Sequence, residues 1–212
     1  PKPSSAASDV YKRQIVILAP IARLIATGLT PVVNNTLIKI GDIIQSSTDT
    51  NPLIMGIVLG GIITVVGTAP LSSMALTALL GLTGVPMAIG AMAAFSSAFM
   101  NSALFHRLKL GDRKSTISVG IEPLSQADIV SANPIPIYVT NFFGGAIAGI
   151  IIAWSGMINN ATGTATPIAG FLVMFGFNSL TKVIIYGVVM AIIGTIAGIV
   201  GLSLIHISEP TR

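Results

Sequence analysis

A single carboxylate, Glu122, lies among apolar residues in the segment Ser118–Leu124. A carboxylate near a membrane interior is costly unless it is paired or hydrated, so its presence there indicates a function. An ionised carboxylate also accepts hydrogen bonds from two neighbouring hydroxyl groups, which suits the recognition of a sugar. We therefore predict that Glu122 binds the substrate. The alternative is a solvated glutamate in a loop, because Gln126 and Asp128 follow closely.

Three further polar residues, His106, Asn133 and Thr68, are predicted to contact the substrate. His106 could share a proton with the substrate or with Glu122. It could equally be a cation that complements the carboxyl-terminal end of a helix dipole. Asn133 and Asn101 lie near predicted helix ends, where interhelical hydrogen bonding is as good an interpretation as ligand contact.

Three apolar stretches are interrupted by small and polar residues that end in proline: Gly28–Pro31, Gly67–Pro70 and Gly163–Pro167. At membrane depth, unpaired backbone groups need protein or a wet cavity around them, and transporters hold substrate at such half-helix ends. We predict broken helices there and place Thr68 at one break. The alternative is an ordinary loop whose proline opens the next helix. The recurrence hints at an internal repeat, for which the sequence offers no clear register.

The elements that position these residues follow from the apolar runs. Spanning helices are predicted over Ile15–Thr30, Val85–Leu104, Ile135–Trp154 and Val183–Val200, and short apolar pieces over Leu53–Val66, Leu71–Leu80 and Pro167–Phe177. Val33 to Gln45 reads as an amphipathic helix, either in the interface or along a polar cavity. Glycine pairs four residues apart favour close packing of the spanning helices.

The positive charge predicts the orientation, because short basic loops stay in the cytoplasm. Arg107, Lys109, Arg113 and Lys114 carry most of the basic charge of residues 15–201. The uncharged loop Ser155–Thr166 is then predicted to face outside, next to an interfacial Trp154. Thr116–Asn133 must begin and end near the cytoplasmic face, which predicts a re-entrant or interfacial element.

The composition describes a protein whose solvent is lipid. Hydrophobic residues make up 52% of the chain and charged residues 8%, whereas a soluble domain carries about 25% charged residues. The mean hydropathy is +0.88. We predict an all-α, polytopic transmembrane helical bundle with broken and re-entrant helices. The absence of cysteine excludes disulfides, thiolate metal sites and a cysteine nucleophile, and we expect no cofactor, no metal site and no nucleic-acid partner.

The two termini, residues 1–14 and 202–212, are predicted to be translated sequencing adapter. Asp9–Gln14 can be written as DNA whose reverse complement encodes Leu202–Ile207, and this DNA resembles a transposon end used in library preparation. The alternative is a genuine polar tail at each end. On the first interpretation residues 15–201 are a truncated membrane domain, and the basic amino terminus is not a signal peptide.

Local sequence also resembles a known family. Pro70–Leu76, Gly81–Gly84 and a long alanine-rich helix ending in basic residues resemble the membrane IIC component of the bacterial phosphotransferase system, in the branch that includes toxin-regulator-like membrane proteins. Gly120–Pro123 is similar to the Gly-Ile-Thr-Glu-Pro motif of glucose-type IIC domains, without its threonine. The resemblance implies a substrate-binding role for Glu122.

The resemblance further implies a homodimeric permease in the lipid bilayer of the bacterial inner membrane, which moves a sugar by alternating access. A IIB partner, charged by IIA, would phosphorylate the sugar, so no phosphoryl-carrying or catalytic residue is expected in this chain. The basic loop from Arg107 to Lys114 could dock IIB. Two alternatives stay open: a membrane sensor or regulator with the same fold, and an unrelated secondary transporter.

Overall fold

The computed structural model describes residues 20–21, 23–32, 35–36, 38–40, 42–44, 46, 51–69 and 71–206, with the side chains of 202–206 left out. Throughout these residues the regular elements are helices, which confirms the all-α prediction. The chain divides into residues 1–40 and 41–212. Most of the predicted tails, and the beginning of the predicted helix Ile15–Thr30, lie outside the described residues.

In the first unit the predicted break at Gly28–Pro31 is wrong, because the helix runs without interruption from Arg23 to Val32. The Thr30 hydroxyl donates a 2.8 Å hydrogen bond to the carbonyl of Ala26. Helices in membranes tolerate proline where hydroxyl groups and local adjustment satisfy the backbone around it. The described residues of the predicted amphipathic segment are also helical.

Besides the helical residues 42–44 and 46, the described part of the second unit contains eight α-helices. They are α1 Pro52–Thr68, α2 Ser73–Leu79, α3 Gly84–Leu108, α4 Arg113–Ile121, α5 Ala127–Ala132, α6 Pro134–Ser155, α7 Pro167–Val173 and α8 Leu180–His206. Short 3-10 turns, Pro123–Gln126 and Met174–Gly176, follow α4 and α7. Helices α3, α6 and residues 180–201 of α8 are long and apolar enough to cross a membrane, as predicted.

Glycine decides how the long helices cross. Gly56 and Gly60 of α1 face Gly145 and Gly149 of α6 so closely that a Cβ atom on any of them would overlap the facing backbone or the Thr64 side chain. Gly56 lies against Gly149 and Gly60 against Gly145, so α1 and α6 are antiparallel. Glycines of α8 approach α3 in the same way, Gly194 at Ser96 and Gly198 at Met100, and these two helices are parallel. The predicted role of the glycine pairs is confirmed.

The bundle therefore has two distinct ends. At one end, called the neutral end because its loop 156–166 carries no charged residue, α3 and α8 begin, α6 ends and Trp154 is exposed. At the basic end, α3 ends and α6 begins, and Arg107, Lys109, Arg113 and Lys114 are exposed.

The first hairpin consists of α1, α2 and the break between them. Helix α1 ends at Thr68, opposite Asn141 of α6, while α6 extends about two further turns to Pro134. Ala69 is extended (ψ 163°), and α2 then returns towards the neutral end, where α3 begins. The predicted broken helix is confirmed, and its break lies inside the bundle.

The second hairpin enters from the basic end and consists of α4, its 3-10 turn and α5. The chain reverses through Lys109 (φ 52°) and Gly111 (φ 66°), two left-handed residues after α3. Helix α4 then runs back along α3, with Gly120 against Ala98 and Ser102. As the chain returns to the basic end through α5, Val130 packs with Phe105 in a buried cluster. The re-entrant alternative for Thr116–Asn133 describes this geometry.

The third hairpin consists of residues 156–166 and α7. At the neutral end the backbone N–H of Asn159 donates to the carbonyl of Gly84 (2.9 Å). Beyond it the chain enters the bundle, where Ala165 is fully buried. Asn178 closes the hairpin through hydrogen bonds to the backbone N–H and C=O of Ile158 (3.0 and 2.8 Å). Residues 156–166 form a loop as predicted, but the second half of this loop folds inward, and its external location stays a prediction. Pro167 begins α7, so at Gly163–Pro167 the alternative of a loop whose proline opens the next helix describes the structure.

The first and third hairpins supply the register of an internal repeat. Gly67-Thr68-Ala69 corresponds to Gly163-Thr164-Ala165, and the first residue of α3, Gly84, corresponds to the first residue of α8, Leu180. Each break is followed by a helix of 7 residues and then by a long spanning helix. Because α3 and α8 are parallel, the two halves have the same direction through the bundle.

Candidate functional site

A cavity of about 170 Å³ lies where the three hairpins meet. The first hairpin contributes Gly67 and Leu71–Met74, the second Glu122–Leu124 and the third Ala165–Pro167. Ala94 and Ser97 of α3 form part of its wall. Two of the three predicted interruptions therefore converge on one site, together with the predicted carboxylate.

The cavity lies about halfway along α3. Ala94 and Ser97 are at least ten residues from either end of this helix of 25 residues, which is roughly 15 Å at a rise of about 1.5 Å per residue. Glu122 is thus carried into the bundle by the second hairpin. Its side chain is exposed, so the alternative of a solvated glutamate stays open.

The backbone of Glu122 is bonded while its carboxylate is available. Its N–H donates to the carbonyl of Ser118 (2.8 Å), and its carbonyl accepts from the N–H of Ser125 (3.0 Å). The side chain is exposed to the cavity, and within the described part of the chain the carboxylate has no hydrogen-bond or ion-pair partner. Its two oxygens can therefore accept hydrogen bonds from a ligand or from water.

Four hydroxyl groups also line the cavity, and two of them, Ser73 and Ser97, already donate to the carbonyls of Ala165 and Ala94. Ser72 caps α2 by accepting from the N–H of Ala75, and Thr166 caps α7 by accepting from the N–H of Gly170, each at 3.1 Å. A capping hydroxyl uses a lone pair, so its hydrogen stays free to donate. The cavity consequently combines one carboxylate acceptor with two hydroxyl donors, a set that matches a ligand with several hydroxyl groups.

A family model described as "Phosphotransferase system, EIIC" matches residues 13–209. The chain belongs to the phosphotransferase system EIIC family. Neither the curated proteins nor the solved structures contain a match to it. With its apolar spanning helices, this EIIC chain is a membrane component of a phosphotransferase permease, and the family implies a sugar substrate and a IIB partner. The match overlaps the inner ends of both predicted tails, whose assignment stays a prediction.

In this EIIC chain Thr68 faces away from the cavity and into a ring of hydrogen bonds with Asn101 of α3 and Asn141 of α6. The Thr68 hydroxyl donates to Asn141 Oδ1 (3.3 Å), Asn141 Nδ2 donates to Asn101 Oδ1 (2.7 Å), and Asn101 Nδ2 donates to the Thr68 hydroxyl (3.1 Å). All three residues are fully buried. For Asn101 the interhelical alternative describes the structure.

His106 and Asn133 lie at the basic end, away from the cavity lining. His106 is exposed in the last turn of α3. Asn133 joins α5 to α6, and its side-chain amide donates to the carbonyl of Ile129 (3.0 Å). Of the four predicted residues the structure brings only Glu122 into the cavity, and substrate contacts of the others stay predictions.

Ser72 and Thr166 are cavity residues that the sequence does not single out. Their signal was present, since a serine or threonine directly before a short apolar helix is a typical amino-terminal cap. What the sequence lacked was a reason to connect these two caps with Glu122, because the three residues come from separate hairpins.

Proposed function

We propose that this EIIC chain binds a sugar in the cavity between its hairpins and moves it across the bacterial inner membrane towards a IIB partner. The observation that carries the proposal is the position of Glu122, whose carboxylate has no partner among the described residues and lines a cavity halfway along α3, beside one broken helix and one inward-folded loop. A carboxylate at the level of the middle of a spanning helix is retained where it serves a ligand or an ion path.

In the proposed complex, Glu122 accepts hydrogen bonds from two hydroxyl groups of the sugar, and Ser72 and Thr166 donate hydrogen bonds to its oxygens. The cavity volume of about 170 Å³ lies below the range of about 300–1,000 Å³ that is typical of drug-sized ligands. We therefore propose a single sugar ring as the ligand.

The basic end is the proposed cytoplasmic face and the docking site for IIB. Exposed Arg107, Lys109, Arg113 and Lys114 would attract an acidic partner surface. His106 and Asn133 lie at the same end, so we place their predicted substrate contacts on the release route. Exposed apolar side chains on α6 and α8, among them Phe143 and Ile192, suit contact with lipid. The homodimer implied by the resemblance stays a prediction.

The deciding experiment is sugar uptake into vesicles that contain this chain, or its longer natural form, with and without IIA, IIB and a phosphoryl donor. A panel of labelled monosaccharides identifies the substrate, and the internal product is analysed for phosphate. We expect uptake and phosphorylation that depend on the partners. Ion-driven accumulation of unmodified sugar would instead indicate a secondary transporter, and sugar binding without uptake would indicate a sensor.

A further inference from the structure

We propose that Asn101 and Asn141 are positioning residues, which hold the cavity wall of the first hairpin in place through the hydrogen-bond ring with Thr68. Its consequence for sugar binding rests on the proposed function. The positioning itself can be tested without any sugar.

The ring is directional and closed. Each of its three side chains donates one hydrogen bond to the next member and accepts one from the previous member. Asn141 has its second amide hydrogen on the carbonyl of Ile137 (2.9 Å), and its own backbone carbonyl accepts from the Thr64 hydroxyl (2.7 Å). In a buried site such a network specifies one arrangement, because any displacement leaves a polar group without a partner.

The ring lies at the end of α1, next to the break of the first hairpin. Helix α1 ends at Thr68, and the residue before it, Gly67, lines the cavity. No helix continues beyond this end within the described residues until α2 begins at Ser73. The ring ties this end to α3 and α6, both of which span the bundle.

Apolar packing alone would fix the axial position of the Thr68 end of α1 less well. Gly56 and Gly60 bring α1 close to α6 near the neutral end, but smooth glycine surfaces leave sliding along the helix axis weakly opposed. Hydrogen bonds between helices fix the axial position, since they require defined distances and angles. The ring thus sets how far the tip of the first hairpin reaches into the cavity.

The internal repeat shows that the anchoring is specific to one half. Thr164, which corresponds to Thr68, also accepts from an asparagine amide and donates to an oxygen: Asn159 Nδ2 at 2.9 Å and the carbonyl of Ala161 at 2.8 Å. Both partners belong to its own loop. In the first hairpin the threonine of the Gly-Thr-Ala element therefore bonds to spanning helices. In the third hairpin the corresponding threonine bonds to residues of its own loop.

The absence of cysteine makes a direct measurement possible. Leu71 and Leu124 line the cavity from the first and second hairpins. Replacing both by cysteine allows two spin labels to be attached, and their distance distribution reports where the tip of the first hairpin lies. The measurement uses the complete chain in lipid vesicles, without sugar.

The decisive variant is Thr68→Val, which keeps the side-chain shape and removes the hydroxyl. We expect a broadened and shifted distance distribution, a similar change in Asn101→Ala, and the parent distribution in Thr68→Ser. The matched control is Thr77→Val, because Thr77 is equally buried and its hydroxyl bonds only within α2. It should leave the distribution unchanged.

Two results would overturn the proposal. The first is a parent-like distance distribution in both Thr68→Val and Asn101→Ala, which would show that the ring does not position the first hairpin. The second is loss of folding in Thr68→Val but not in Thr77→Val, which would show that the ring is required for the fold rather than for the site. Sugar affinity is measured separately. A chain that binds no sugar would contradict the proposed function while leaving the distance result valid.

Discussion

The Ser73 hydroxyl donates a 2.7 Å hydrogen bond to the carbonyl of Ala165. Both residues are buried and both line the cavity. This bond joins the tips of the two hairpins that the internal repeat relates, so the two halves of the chain are linked directly at the site.

Ser73→Ala should weaken that link. It leaves the buried Ala165 carbonyl without this donor, which costs about 1–3 kcal/mol, so we expect a lower melting temperature in detergent and weaker sugar binding. Ser96→Ala is the control, because it removes a comparable 2.9 Å bond from α3 to Met190 away from the cavity. A loss of sugar affinity equal in both variants would contradict a specific role for Ser73.

Glu122→Gln should abolish the charged acceptor without changing the shape of the site. Hydrogen bonds to charged groups contribute about 1.5–3 kcal/mol, and about 1.4 kcal/mol corresponds to tenfold, so sugar affinity should fall about ten- to a hundredfold in a direct binding assay. Asp128→Asn is the control, since Asp128 is an exposed carboxylate of the same hairpin outside the cavity. Parent-like binding by Glu122→Gln would remove the principal residue of the proposed site.

Charge reversal at the basic end tests the docking of IIB. Arg107→Glu with Lys109→Glu should weaken binding to purified IIB, mostly through slower association that depends on salt. Lys182→Glu is the control, because Lys182 lies near the beginning of α8 at the neutral end. Unchanged IIB affinity in the double variant would rule out this docking surface.

Gly145→Ala tests the crossing of α1 and α6. Its Cβ atom would overlap the Thr64 side chain and the Gly60 backbone, and such overpacking costs about 1–3 kcal/mol. We expect a lower melting temperature, whereas Gly176→Ala, with open space around its Cβ position, should change it little. A melting temperature of Gly145→Ala equal to that of the parent would mean that α1 and α6 can move apart at this crossing without loss of stability.

Asp112 should make the start of α4 sensitive to acid. The backbone N–H of Ser115 donates to its carboxylate, and this bond is the main reason why the pKa of Asp112 lies below 3.8. Because the folded pKa is lowered, the stabilising effect is present above about pH 3.9 and is lost as the pH falls through the folded pKa. The protection of the α4 amides against hydrogen exchange, relative to the intrinsic rate at each pH, should therefore fall at low pH.

Asp112→Asn separates the charge from the cap. Asparagine also caps helices well, so this variant should keep α4 protected near neutral pH and lose the acid dependence. Asp112→Ala should lose protection at every pH. An acid response of the same size in Asp112→Asn would assign it to another group.

The sequence by itself determined the helical membrane class, the three long spans and the position of Glu122 as the residue to test. It also determined the break at Gly67–Pro70, and it pointed to the family that the match over residues 13–209 confirms. These features depend on composition, on apolar runs and on local backbone chemistry, all of which act over a few residues.

Only the tertiary structure decided which interruptions matter and what each polar residue contacts. Gly28–Pro31 has the same kind of sequence as the other two interruptions, yet its helix continues. The Thr68 side chain forms a hydrogen-bond ring with Asn101 and Asn141, whereas Ser72 and Thr166 line the cavity together with Glu122. These contacts depend on the distance between neighbouring helices, which close glycine crossings set, and on their axial position, which buried hydrogen bonds set between residues distant in the chain.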